Sequence, residues 1–446
     1  MDAPSTVDAP DDLVLWDVVE EHLDEADFLF GQWQRGQESS LYTLDTLAKG
    51  PEARLLAHVD GLVVNGKPVI ERTLLPAVRT PEEPSVMRAA AASLALIGLG
   101  RHDVVADVLL HGDAETSRGA EYALALAGPA AFDAWLPRAL PSGLDRGQRA
   151  ALLRVAAARG LTIANLLLYL QSQDTHEAAA AAHAAIWSDG ALHAPLLDYL
   201  LDDPRPEVAD AALTAALVHG SRAAFQRCLA RASDTTQSDG LAMLLTALLG
   251  QPSHHDLLTA HIGRGTHRMA ALFALGYTGQ AATVPLLLAQ LEAKDAPTRK
   301  LASEAIGTIT GLDTTADAFV REERVQDADA LPPLEVDIEA ELVPTHVDAL
   351  PEPNAEAIGR WWNEHGGRID RRCRVLLGEP WTYEHALSAL ASSSMRRRAP
   401  LVRWLQVRSG GHAKVVESAF SSTQRAQARA AACLATYAST RRYGSW

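Results

Sequence analysis

Eight glycines recur along the first 311 residues at intervals of about 30 residues. Each closes an apolar segment with helical spacing, at Gly100, Gly128, Gly160, Gly190, Gly220, Gly250, Gly279 and Gly311. Glycine is typical of the position after a helix, because it enters the left-handed region without a Cβ penalty. A fixed period of this length is typical of repeat architectures, so we predict an array of similar helical units.

A second ladder, made of aspartates, has the same period. It comprises Asp113, Asp145, Asp174, Asp203, Asp234 and, two periods later, Asp295. An aspartate in front of a helix accepts hydrogen bonds from unpaired N–H groups of the first turn and favours the positive end of the helix dipole. We therefore predict that these aspartates cap one helix in each unit.

Each unit has the pattern of two helices. In one of them Val208, Ala211, Ala215 and Val218 follow a spacing of three or four residues, which creates an apolar stripe that must be buried. Stacked helical pairs bury such stripes in a continuous core. The chain contains 80 alanines and only 5% aromatic residues, which favours closely packed helices over sheets. We predict an all-α protein.

Two of the units resemble HEAT repeats. They carry RMAALFALG at 268–276 and DAPTRKLA at 295–302, and an earlier copy begins at 86–94 with VMRAAAASL. The resemblance covers about 84–311. It implies a curved α-solenoid of HEAT-like helical pairs whose concave face binds another macromolecule.

The flanking segments resemble an uncharacterised proteobacterial family of HEAT-repeat-like proteins. The matching residues are LDEADFLF at 23–30, RLLAHVDGL at 54–62, and the pair WW at 361–362 followed by RVLLGEP at 374–380. This resemblance implies no catalytic residue. It implies an accessory role beside a type VI secretion system.

The charge divides the chain into segments. The net charge of −16 consists of −15 in 1–311, −11 in 312–356 and +10 in 357–446. We predict an N-terminal helical cap with divergent repeats over 1–83 and a HEAT-like solenoid over 84–311. An acidic, proline-containing linker over 312–356 and a small, basic, mostly helical module over 357–446 follow. The alternation in LEVDIE at 334–339 predicts one short strand.

The basic module contains a candidate binding patch. Its members are Arg396, Arg397, Arg398, Arg403, Trp404 and Arg408. Arginine beside tryptophan fits phosphate contact combined with base stacking, so nucleic acid, another polyanion or an acidic partner is one interpretation. In the other, Trp404 is a core anchor and the arginines pair with carboxylates such as those of the linker. The acidic charge of 1–311 argues against nucleic acid on the solenoid itself.

The sequence predicts no catalytic, cofactor or metal site. The densest histidine group is His254, His255, His261 and His267, which lacks carboxylates at ligand spacing apart from Asp256. We expect these histidines to be polar residues on helix surfaces. Deoxyhypusine hydroxylase, a HEAT-repeat enzyme, holds two irons with several His-Glu pairs, whereas this chain has one such pair.

The three cysteines form no CxxC pair, and no apolar run reaches the roughly 20 residues that a membrane helix needs. We expect a cytoplasmic protein without a membrane partner. The leading hypothesis is a non-enzymatic scaffold or adaptor that binds a protein, with a basic partner favoured by the acidic solenoid. Polyanion binding by the basic module and an enzyme with an unrecognised site remain the alternatives.

Overall fold

The computed structural model describes residues 14–81, 84–140, 143–236, 239–263, 265–321 and 345–440. They form two compact units. The first unit holds the described residues of 14–38, 42–224 and 391–440, and the second holds 39–41 and 225–390. Residues 357–446, which their charge sets apart, are thus shared between the two units. The predicted linker lies largely outside the described residues, and so does the predicted strand at 334–339.

Short helices follow one another through most of the first unit. Its N-terminal part contains α1 (Trp16–Gly36), α2 (Leu44–Leu47), α3 (Ala53–Val64), α4 (Lys67–Val69), α5 (Leu75–Arg79), α6 (Val86–Gly98), α7 (His102–His111), α8 (Ala114–Ala127), α9 (Ala130–Ala139), α10 (Arg146–Ala158), α11 (Leu167–Leu170), α12 (Thr175–Ala185), α13 (Gly190–Leu200) and α14 (Pro206–Val218). Two π-helical turns, Ala48–Glu52 and Ile70–Leu74, precede α3 and α5.

The chain continues with α15 (Arg222–Ser233), α16 (Gly240–Leu249), α17 (Pro252–Thr259), α18 (Gly265–Gly276), α19 (Val284–Gln290), α20 (Ala296–Thr310), α21 (Ala355–His365) and α22 (Tyr383–Ser392). Strands β1 (Val375–Leu376) and β2 (Glu379–Pro380) form an antiparallel hairpin between α21 and α22. The helices α23 (Arg398–Ser409), α24 (Ser421–Ala432) and α25 (Ala435–Thr440) complete the first unit. Helices dominate the described residues, which confirms the all-α prediction.

From α6 to α14 and from α16 to α20, every second helix along the chain is a neighbour in space. In the first unit α6 packs on α8, α8 on α10, α10 on α12 and α12 on α14. The intervening helices α7, α11 and α13 each pack on the helix that follows. In the second unit α16 packs on α18, and α18 on α20. An isolated helical pair leaves its apolar stripe exposed to water, whereas the packing of each pair on the next buries the stripe.

Alanine and glycine allow these helices to approach closely. A Cβ added at Gly119 of α8 would lie 2.6 Å from the Cβ of Ala89 and 2.7 Å from the backbone N of Ala90, both on α6. The alanines of α6 that face this contact are fully buried. The high alanine content therefore has the packing role that the composition predicts.

Four of the six predicted aspartates cap helices. The carboxylates of Asp113, Asp145, Asp174 and Asp295 accept backbone N–H hydrogen bonds at the start of α8, α10, α12 and α20, at 2.8–3.0 Å. The nearby side chain of Thr298 is the main reason that the pKa of Asp295 is lowered, and the backbone N–H of Thr298 adds to it.

The predictions for Asp203 and Asp234 are wrong. Asp203 lies two residues before the N-cap Arg205 of α14, and its carboxylate accepts bonds from the backbone and guanidinium of Arg205. Asp234 accepts a bond from the backbone of Thr236 in a turn, and Asp239 caps α16 instead. In both cases the period is right, but a short turn separates the aspartate from the helix.

Seven of the eight predicted glycines lie at or just beyond the C-terminal end of a helix. Gly311, for example, is the C-cap of α20 with a left-handed φ of 75°. The prediction for Gly190 is wrong, because this residue begins α13 and follows the N-cap Asp189. The preceding helix α12 has already ended at Ala185.

Candidate functional site

Residues 391–440, a segment that we call the tail, pack along the rest of the first unit. Helix α23 of the tail contacts α14. Beyond α23, a Cβ added at Gly411 would lie 2.5 Å from the carbonyl oxygen of Ile186, and the Nζ of Lys414 donates to the carbonyl of Gly160 at 3.0 Å. The tail therefore packs against the C-terminal ends of α14, α12 and α10.

A buried carboxylate anchors the tail to the N-terminal helices. Glu52, 5% exposed, ends the π-helical turn that contains the buried Pro51. Its oxygens accept hydrogen bonds from the indole N–H of Trp33 at 3.0 Å, the backbone N–H of Ser421 at 3.0 Å and the hydroxyl of Ser421 at 2.8 Å. Three donors on one buried carboxylate make this contact a strong link, because charged acceptors form the stronger hydrogen bonds.

A cavity of about 480 Å³ opens between α1, α8, α10 and the tail. Ligand pockets in proteins have volumes of about 300–1,000 Å³. Phe30, Trp33 and Tyr122 form an aromatic wall, with ring centroids 5.7 Å apart for Phe30 and Trp33 and 6.2 Å apart for Phe30 and Tyr122. The small residues Ala125 and Ala158 also line the cavity, and their size leaves its space open.

Charged side chains line the same cavity. Glu121 is buried and accepts bonds from Arg118 at 2.6 Å and from Arg154 at 2.7–3.0 Å. The guanidinium of Arg118 also lies 4.7 Å from the centre of the Tyr122 ring. Both carboxylate oxygens of Glu121 are thus occupied, whereas each arginine keeps donors that Glu121 does not use.

Two further groups on the cavity wall have no partner among the described residues. Arg403 of α23 is half-buried, and its guanidinium makes no hydrogen bond or ion pair there. Both amide atoms of the Gln37 side chain are buried and lack a hydrogen-bond partner. A buried amide without partners is rare in native proteins and calls for an explanation such as an ordered water molecule, an ion or another bound group.

The six residues of the predicted patch do not share one surface. Arg398 is only 1% exposed, its guanidinium donates to Oε1 of Gln424 at 2.6 and 3.0 Å, and burial lowers its pKa to about 10. Trp404 is buried as well. Arg408 donates to the carbonyl of Ala438 at 3.1 Å.

The other three members of the patch, Arg396, Arg397 and Arg403, are half-buried, and Arg403 lines the cavity. Arg398 and Trp404 thus belong to the interior of the first unit, as the core-anchor interpretation expects of Trp404. The cations that a surface ligand can reach are fewer than the sequence suggests.

In the second unit, Arg374 holds helix ends. Its guanidinium donates to the carbonyls of Ala247 and Leu248 at the end of α16 and to those of Tyr277 and Thr278 just beyond α18, at 2.6–2.9 Å. The backbone of β1 continues this contact, since the N–H of Val375 donates to the carbonyl of Gly279. A cation at helix C-termini is stabilised by the negative end of the dipole.

The expectation of surface histidines is wrong for three of the four. His255, His261 and His267 are 4%, 0% and 7% exposed, because α17 and the start of α18 pack inside the second unit. Burial, helped by the nearby charge of Arg374, lowers the pKa of His255 to about 3. Among the described residues, no group of three or more His, Cys, Asp or Glu side chains is placed to hold a metal ion.

Within the part of the chain that the structure describes, no helix combines the length and the apolar character needed to cross a bilayer.

The sequence pattern does not predict the cavity. One usable signal is the spacing of Glu121 and Arg154, which lie 33 residues apart, close to one period, on neighbouring helices. Arg149 and Glu177 form a second such pair across α10 and α12. Opposite charges one period apart therefore mark neighbouring helices in this chain. The contribution of Arg403 depends on where the tail folds, which the period does not reveal.

The sequence matches no protein-family profile, and no curated protein is significantly similar to it.

Proposed function

We propose that the chain is a non-enzymatic protein-binding adaptor built from HEAT-like helical pairs. The packing of every second helix on the next, from α6 to α14 and from α16 to α20, supports an α-solenoid arrangement in each unit. The observation that carries the binding function is the cavity of the first unit, whose wall includes the half-buried Tyr122 and the unpartnered Arg403 and Gln37. Aromatic residues and arginine are enriched where proteins bind one another.

The tail changes where a partner binds. The sequence favours the concave face of the repeats, but the tail already packs along the ends of α10, α12 and α14. We therefore assign recognition to the cavity, where the tail contributes Ala399, Arg403 and Ser418 to the wall. The acidic charge of 1–311 still favours a basic partner during approach, because long-range steering depends on summed charge.

Photo-crosslinking in the native host tests this proposal. A benzophenone amino acid replaces Ser418, which is exposed at the cavity, or Ala430, which is exposed on α24 and does not line it. We expect a discrete adduct from position 418, identified by mass spectrometry, and none from position 430. Adding Ala125→Phe, which fills the cavity from α8, should remove the adduct. Equal adducts at both positions, or an adduct that persists in the filled cavity, would contradict the proposal.

Membership of the HEAT-repeat-like proteobacterial family, an accessory role beside type VI secretion and a cytoplasmic location stay predictions. Polyanion binding is also a prediction, now restricted to Arg396, Arg397 and Arg403. Retention on heparin at low salt measures it, and the double variant Arg396→Glu, Arg397→Glu should abolish such retention. If the wild type is not retained at all, polyanion binding is excluded.

A further inference from the structure

The groups that line the cavity of the first unit also indicate the chemistry of its ligand. Three guanidinium groups, those of Arg118, Arg154 and Arg403, line it. Glu121 satisfies part of the first two and none of the third. Arginine presents five donors and no acceptor, so donors remain in excess at this wall. A ligand that fits must supply acceptors, and a carboxylate is the acceptor that matches the planar guanidinium best.

The tail also contributes a carboxylate to the cavity wall, that of Glu417. Its side chain makes no hydrogen bond among the described residues, and its charge acts on the buried Arg398. It therefore does not satisfy the guanidinium of Arg403. Arg403 therefore makes no ion pair with any of the described residues.

The amide of Gln37 adds a second requirement. Its oxygen and nitrogen are both buried and unpartnered, so it lacks one donor and one acceptor. A peptide group supplies both, since its N–H and its C=O can pair with the side-chain oxygen and nitrogen of one glutamine. The half-buried ring of Tyr122, together with Ala125 and Ala158, provides the apolar surface for a side chain next to that peptide group, and the buried Phe30 packs against the Tyr122 ring from within.

We propose that this cavity binds a peptide segment of the partner in which a carboxylate stands beside a large apolar side chain. The carboxylate pairs with Arg403, the amide of Gln37 turns from its buried position to pair with the peptide group, and the apolar side chain packs on Tyr122. This inference rests on the proposed protein-binding function and specifies its ligand. The partner can be basic overall and still carry a local acidic motif. Its positive net charge is attracted by the negative charge of 1–311 during approach, and its acidic motif pairs with the arginines of the cavity on contact.

Selection from a phage-displayed random dodecapeptide library tests the inference. The full chain is the bait, and the Ala125→Phe variant removes peptides that bind elsewhere. We expect enrichment of Asp or Glu within one or two positions of Phe, Trp or Leu. With Arg403→Gln as bait the acidic enrichment should disappear, whereas the matched control Arg138→Gln, an exposed arginine of α9 away from the cavity, should keep it.

The affinity of the best peptide provides the quantitative result. Replacing the acidic residue of this peptide by the corresponding amide should weaken its binding to the wild-type protein about tenfold or more. The same replacement should weaken its binding to the Arg403→Gln variant by less than about twofold. Gln37→Leu should weaken all peptides while keeping the preference for the acid. N-acetylphenylalanine, a small aromatic carboxylate, is the competitor that tests for a metabolite site.

The inference would be overturned if no peptide is selected above the counter-selected background, or if the selected peptides show no acidic enrichment. It would also be overturned if the acidic preference is unchanged with Arg403→Gln as bait. The same holds if N-acetylphenylalanine displaces the peptide at a concentration equal to that of the peptide. Suppose that position 418 gives an adduct that Ala125→Phe abolishes, while the selected peptides lack acidic residues. The proposed protein-binding function would then stand, and the proposal that the ligand carries a carboxylate would be rejected. Absence of that adduct would reject the function itself.

Discussion

The basic C-terminal region behaves differently in the two units. In the second unit, Arg374 donates to four helix carbonyls, so its hydrogen-bonding capacity is used by the fold. In the first unit, α23 carries Arg398 in the interior and Arg403, five residues later, on a cavity without a partner among the described residues. The difference shows that clustered positive charge does not by itself identify a binding surface. The proposed site depends on Arg403, whose guanidinium makes no hydrogen bond or ion pair with the described residues.

The largest expected effect concerns the anchor of the tail. Glu52→Ala should lower the free energy of unfolding by about 4 kcal/mol, because it leaves the donors of Trp33 and Ser421 buried without an acceptor. Urea denaturation measures this change, and limited proteolysis reports release of the tail. Asp45→Ala, which removes exposed ion pairs to Lys49 and Arg425, is the control and should cost about 0.5 kcal/mol or less. Similar losses for both variants would remove Glu52 as the anchor.

In the second unit, Arg374 is the charged residue that links separate helices, as Glu52 does in the first unit. Arg374→Ala should destabilise this unit by about 3 kcal/mol, since four carbonyls lose a charged donor. Arg374→Lys should recover only part of the loss, because a single ammonium cannot reach all four carbonyls. Hydrogen exchange over 245–280 reads the effect locally. Full recovery by lysine would show that charge, and not the shape of the guanidinium, holds the helix ends.

His255 gives the second unit an acid sensitivity. Its pKa is about 3 in the folded chain against 6.5 for an unperturbed histidine, so below pH 6.5 the unfolded chain binds a proton that the folded chain does not. Stability is therefore lost as the pH falls from about 6.5 towards 3, by about 2 kcal/mol at pH 5. His255→Gln should flatten this part of the urea-derived pH profile. The exposed control His176→Gln should leave the profile unchanged, and a profile that His255→Gln also leaves unchanged would contradict the assignment.

The smallest expected effect is that of Arg403 on stability. Arg403→Ala should change the free energy of unfolding by about 0.5 kcal/mol or less, because its guanidinium makes no hydrogen bond or ion pair with the described residues. Arg398→Ala, on the same helix, should be far more costly because it leaves Gln424 buried and without its donor. The pair of urea titrations directly tests the contrast between a structural and an available arginine. A large loss for Arg403→Ala would place it among the structural arginines.

The sequence predicts the helices better than their surroundings. Period and propensity act locally, so α10 and α20 begin after the aspartates that belong to the ladder. The errors arise where the loop length varies, since Asp203 and Asp234 fall one turn too early for the same ladder. Periodicity therefore locates units of structure, whereas capping residues depend on the turn that connects them.

Local sequence patterns do not predict which polar residues are buried. His261 is fully buried, and its Nε2 donates to the carbonyl of Ala232, 29 residues earlier. Arg398 is buried because Gln424 reaches it from another helix. The cavity has the same origin, because it combines α1, α8 and α10 with a tail more than 200 residues away in sequence. Such long-range contacts decide the site, and the period of a single sequence does not contain them.

The contact between Glu52 and Ser421 also bears on how the chain acquires its structure during synthesis. The two residues are separated by 369 positions. Because translation proceeds from the N-terminus, Glu52 leaves the ribosome long before the tail can supply its donors. The first unit thus completes its folding only after the tail has been synthesised, while residues 225–390 have already had time to fold. Closing so long a loop is slow relative to local helix formation, so the final docking of the tail should be a late step in folding.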